Sequence, residues 1–130
     1  MKICFKYKKN SVKPTQLEIL KKFCKLLQNK MPLNNDLKIL LLDKKTEDMT
    51  TGSYNNGKDR IRILFKGRMF ADVLRTLSHE WAHAYDHEKL KIKDRKDIGG
   101  ESENFANAKS GEVTKLFIKK NKKKEKEIFN

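Results

Sequence analysis

Apolar and polar positions alternate in some stretches of the chain and recur at helical spacing in others. Lys2 to Tyr7 alternates loosely and is rich in strand formers, which predicts a first strand. Pro14 and Thr15 then open a helix, since proline is tolerated in a first turn. Leu17, Ile19, Leu20, Phe23, Cys24, Leu26 and Leu27 follow at spacings dominated by three and four. Pro32, Asn34 and Asn35 break that pattern, and Leu37 to Leu42 is a short apolar run read as a strand. Asn56-Gly57 is a hairpin signal between the arms Thr50 to Asn55 and Arg60 to Phe65. In the second arm Ile61, Ile63 and Phe65 point one way and Arg60, Arg62 and Leu64 the other. Gly67 ends it.

Phe70 to Glu88 is the strongest predicted helix. At 100° per residue, Phe70, Val73, Leu74, Leu77, Trp81, Ala84 and Tyr85 share one arc, which is its core face. Leu90 to Gly100 is a charged connector ending in Gly99-Gly100, and Glu101 to Ile118 reads as a last helix, with Gly111 as its weak point. The order β-α-β-β-β-α-α mixes the two element types without strict alternation, so the fold class is α+β. The hairpin requires at least one antiparallel pair. Residues 1–120 make one domain, followed by a basic tail over residues 121–130.

Composition narrows the function classes. Charged and apolar residues each make up 37% of the 130 residues, and no apolar run approaches the ~18 needed for a membrane span. Cys4 and Cys24 are too few for a disulfide framework, and Cys24 reads as a buried apolar residue. Lys6, Lys8 and Lys9 leave no room for a signal-peptide core after Met1. The expected setting is therefore cytoplasmic, or a virion interior, with reduced thiols. Lys+Arg number 31 against 17 Asp+Glu, a net charge of +14, so the basic surface is expected to suit nucleic acid or another acidic partner. Part of that excess reflects codon bias: only five of the 31 are Arg, as in an AT-rich genome.

The chemistry concentrates in His79-Glu80-Trp81-Ala82-His83, an H-E-x-x-H pattern inside the strongest helix. The i, i+4 spacing puts both imidazoles on one face, where they can grip one zinc ion. Glu80 projects beside them as an acceptor for a proton from metal-activated water. Random placement of this composition gives the pattern on the order of once in 200 such chains. On the helical wheel His79 and His83 stand about 200° and 240° from Leu77, opposite the core arc and beside Asp72 and Thr76. A catalytic zinc takes three protein ligands and an open position. The metzincin continuation fails, because Asp86 and Lys89 stand where that class has Gly and His. A carboxylate from the following helix is the alternative, with Glu101 and Glu103 in its first turn.

The H-E-x-x-H helix, a connector of roughly twenty residues and Glu103-x-x-Ala106-Asn107 together resemble the gluzincin metallopeptidases. The likeness is to minimal forms: SprT-like and ImmA/IrrE-like domains and small phage-encoded metallopeptidases. It spans about Arg60 to Leu116 and is specific at the two motifs. It implies Glu103 as third ligand, because Glu103 alone has Ala-Asn three and four residues on. Glu101 is then a helix N-terminal carboxylate placed for the macrodipole. Asn107 would orient the His79 ring. The implied fold is zincin-like, a small twisted mixed sheet on one side of the H-E-x-x-H helix with the Glu103 helix closing the other. The strand at the sheet edge would pair with an extended peptide; Thr50 to Asn55 and Arg60 to Phe65 are both candidates.

The expected function is zinc-dependent hydrolysis of a polypeptide substrate. One zinc per chain, held by His79, His83 and Glu103, activates water and polarises the scissile carbonyl. Glu80 takes the water proton and passes it to the leaving amine. Tyr54 and His87 are candidates for stabilising the oxyanion, whereas Tyr85 lies on the core arc. Two other readings remain open: a DNA-associated protein carrying such a site, and a non-catalytic virion component that keeps the metal for stability.

Overall fold

The structure is a computed structural model. It describes residues 1–47, 49–55, 57–90 and 101–121, with residues 89–90 and 101–102 described by their backbone. The expected connector over 91–100 and most of the basic tail lie outside the described residues.

Four strands and three α-helices form an α+β unit in the order β1 (Ile3–Tyr7), α1 (Pro14–Lys30), β2 (Leu37–Leu42), β3 (Gly52–Asn55), β4 (Arg60–Leu64), α2 (Phe70–Tyr85) and α3 (Glu101–Lys120). The predicted helix through Glu88 ends sooner as an α-helix. From Asp86 to Leu90 it continues as one π-helical turn, a widening that side-chain spacing does not signal.

The sheet is mixed, with strand order β1-β2-β4-β3. β1 and β2 are parallel, β2 and β4 are parallel, and β3 pairs antiparallel with β4. Of the two candidate edge strands, β4 is therefore interior and β3 is the edge. The hairpin forms, but its turn is longer than Asn56-Gly57 alone. Asn55 pairs with Arg60, and Asp59 takes the left-handed conformation at φ 47°. Gly67 turns the chain out of β4 at φ 78°, a conformation that suits a residue without Cβ.

Alternation puts Ile39, Leu41, Ile61 and Ile63 on one face of the sheet, all fully or almost fully buried. The helices cover this face. Phe23 of α1 meets Phe117 of α3 edge to face at 4.9 Å. Trp81 is completely buried, and its indole N–H donates to the Met31 carbonyl at 2.8 Å. Each large apolar side chain buried this way contributes roughly 1.5–3 kcal/mol. The predicted core arc of α2 holds, but Ala71, Ser78 and Ala82 are buried as well. α3 packs along α2. The Ser110 hydroxyl fastens the pair by donating to the Arg75 carbonyl at 2.8 Å. Among the described residues no helix is long and apolar enough to cross a membrane. Cys24 is buried as expected, and Cys4 is exposed.

Candidate metal centre

The helical repeat of α2 sets His79 and His83 one turn apart, with their rings edge to face at 4.9 Å and their Nε2 atoms 3.2 Å apart. α3 brings Glu103 to both. Its Oε1 lies 2.8 Å from His83 Nε2 and its Oε2 lies 3.3 Å from His79 Nε2. The ligand atoms of the three residues all lie within 4.8 Å of one another, so the group can hold a metal ion. Ligands held at ~2.0–2.1 Å in a tetrahedron stand roughly 3.3 Å apart. Two of the separations here, 3.2 and 3.3 Å, match that spacing, and the third, His83 Nε2 to Glu103 Oε1, is shorter at 2.8 Å. Burial first, and His83 second, hold the His79 pKa below its usual value, against the opposing pull of Glu103. His79 thus favours the neutral ring that offers a lone pair.

Glu80 is on the helix beside this group but not in it. It lies between the histidine stripe and the core arc, and only 8% of it is exposed. Burial, and then the charge of Glu103, push its carboxyl up to about 7. A carboxyl tuned there can both accept and release a proton near neutral pH.

Gly52 accounts for part of that burial. A Cβ at this position would stand 2.5 Å from Thr76 Cγ2 and 3.3 Å from Glu80 Cγ. The edge strand lies directly on the carboxylate's helix, an approach that favours a residue without Cβ. Composition did not single out Gly52, although a glycine inside a strand is a known mark of close backbone approach.

A cleft of 610 Å³ runs along α2 between β3 and α3, lined by Thr51, Gly52, Thr76, His79, Glu80 and Glu103 among others. Arg68, which the sequence reading missed, also lines it. Its guanidinium donates to the carbonyls of Leu64 and Asp72 and to Thr76 Oγ1, at 3.0, 3.3 and 2.9 Å. No motif marked this residue; only the tertiary fold brings its partners together. Asn107 is exposed in the same cleft and makes no hydrogen bond to His79 among the described residues. Tyr54 and His87 meet each other, with ring centroids 6.2 Å apart, and neither lines the cleft. Burial first, then Asp59 and Glu88, push the Tyr54 hydroxyl up to about 12. Tyr85 packs as expected, stacked on Phe105 at 6.3 Å. The side chain of Glu101 lies outside the described residues.

No family model matches the chain, and no curated protein or solved structure matches it.

Proposed function

We propose that the chain is a zinc-dependent endopeptidase of the gluzincin type. The observation that carries this reading is the convergence of His79, His83 and Glu103 beside a buried glutamate that is not part of the group. Two imidazoles and one carboxylate suit zinc, and three protein ligands leave a position open, as catalytic rather than structural sites do. When bound, zinc supplies Lewis acidity, lowering the pKa of water and polarising a carbonyl. The remaining steps belong to the chain. Glu80 accepts the proton of the attacking water and delivers it to the leaving amine.

The open edge of β3 suits a polypeptide substrate. The Leu64 N–H donates to the Thr51 carbonyl at 2.8 Å, which fixes residues 51, 53 and 55 as those bonded to β4. The backbone groups of Gly52 and Tyr54 therefore point outward, and an extended peptide can pair with them beside Glu80.

Hydrolysis of a quenched fluorescent casein by the zinc-loaded protein tests the reading. Glu80→Gln should lower the rate roughly 10²–10⁴-fold, the usual contribution of a positioned acid–base group, with zinc still bound. Equal rates in wild type and variant would contradict the role given to Glu80. A wild type that binds zinc and cleaves nothing would favour the non-catalytic reading.

A further inference from the structure

The four strands contain four cationic residues, Lys6, Lys38, Arg60 and Arg62, and no acidic one. The register collects all four on the face turned away from the helices. Lys38 pairs with Arg60, and in the next row Lys6 pairs with Leu40, which pairs with Arg62. Neighbouring strands are about 4.8 Å apart and the rows about 7 Å, so the four share a patch roughly 10 Å across, in which the Arg62 guanidinium already donates to Ser53 Oγ and Thr46 Oγ1 at 2.9 and 3.3 Å. The patch lies on the opposite side of the sheet from Glu80. Lys6 and Lys38 are exposed. Arg60 Nε is buried without a hydrogen-bond partner among the described residues, a donor left unused.

We infer that this outer sheet face binds nucleic acid through its phosphates. Charge complementarity carries the choice of occupant. Duplex DNA presents one negative charge per ~1.7 Å of axis, and a cluster of cations on strands that carry no acidic residue gains by displacing its counterions. The outward strand residues include no Phe, Tyr or Trp, so bases have no stacking platform and recognition rests on the backbone. The same lack of aromatic anchors argues against a tight protein interface. The proposal is independent of the metal centre.

Fluorescence anisotropy with a labelled 20-base-pair duplex tests it, over about 50–200 mM NaCl. The variant Lys6→Glu/Lys38→Glu reverses two exposed charges on the face. The control Lys21→Glu/Lys22→Glu makes the same net change on the exposed side of α1. We expect wild-type binding that weakens steeply with salt. The sheet-face variant should bind at least about tenfold more weakly, with a log–log salt slope shallower by roughly 2. The control should stay within about threefold of wild type. The neutral variant Lys6→Gln/Lys38→Gln should fall between wild type and the reversed form, and serves if the latter does not fold. Absence of duplex binding by wild type would overturn the proposal, as would equal losses in face variant and control. Displacement by poly-glutamate at the same charge concentration as effectively as by unlabelled DNA would also overturn it, and would point to an acidic polypeptide.

Discussion

Gly52 lies against Glu80: a Cβ on residue 52 would stand 3.3 Å from Glu80 Cγ and only 2.5 Å from Thr76 Cγ2. The edge strand and the helix that carries Glu80 thus touch at the one position where the strand has no side chain. This contact helps exclude water from Glu80 and places the open strand edge beside it. Gly52→Ala should destabilise the fold by about 1–3 kcal/mol, the usual cost of overpacking, and reduce hydrolysis. Thr76→Ser removes the clashing methyl while keeping the hydroxyl that accepts from Arg68. The double variant should recover part of the loss, as a coupling energy in a denaturation cycle. Additive losses would show that the two residues do not meet as described.

Gly111 is the opposite case. It lies inside α3, and nothing stands within 4 Å of a Cβ built there. Alanine costs less backbone entropy in a helix, so Gly111→Ala should stabilise by about 0.5–1 kcal/mol in urea denaturation. A loss of stability would mean that α3 approaches a neighbour there.

The two cysteines should separate chemically. Cys24 is buried, and burial pushes its thiol up to about 12, whereas Cys4 is exposed. A maleimide reagent at pH 7.5 should label one thiol per folded chain, on Cys4, and two after unfolding. The same shift has a sign for stability. The folded thiol keeps its proton where the unfolded one, near 9.0, loses it. Its contribution to stability is therefore fully present below pH 9 and declines as pH rises towards 12. At pH 10 this loss is on the order of 1 kcal/mol. Tyr54, also raised to about 12, acts in the same direction above pH 10. Cys24→Ala should melt with a weaker alkaline dependence than wild type between pH 8 and 10.

Local patterns were the legible part of this chain. The alternation of Arg60 to Phe65 and the unbroken run Leu37 to Leu42 mark strands whose bounds the structure keeps almost unchanged, at Arg60–Leu64 and Leu37–Leu42. The histidine stripe of α2 shows in the sequence because i, i+4 spacing is a local property. Glu103 was reached through its Ala106-Asn107 neighbours, and the fold brings it to both rings. Features that depend on distant partners were not legible. Parallel pairing of β2 with β4, which makes β3 the edge, joins segments that no turn signal links. The burial of Ser78 and Ala82, off the predicted core arc, depends on elements that close over α2 only in the folded chain. Arg68 finds its acceptors only after β4 and α2 are in place. Asn107 lines the cleft without a hydrogen bond to His79 among the described residues, because helix spacing fixes its level along the cleft and not its partners.

The central claim is the three-residue metal group, and metal content tests it most directly. Elemental analysis should be made on wild type, Glu103→Ala and Glu101→Ala, each purified without chelator. We predict about one zinc per wild-type chain, as expected for a single three-ligand site. The zinc should be lost in Glu103→Ala and kept in Glu101→Ala. A metal-free wild type, or zinc retained in Glu103→Ala and lost in Glu101→Ala, would contradict the account.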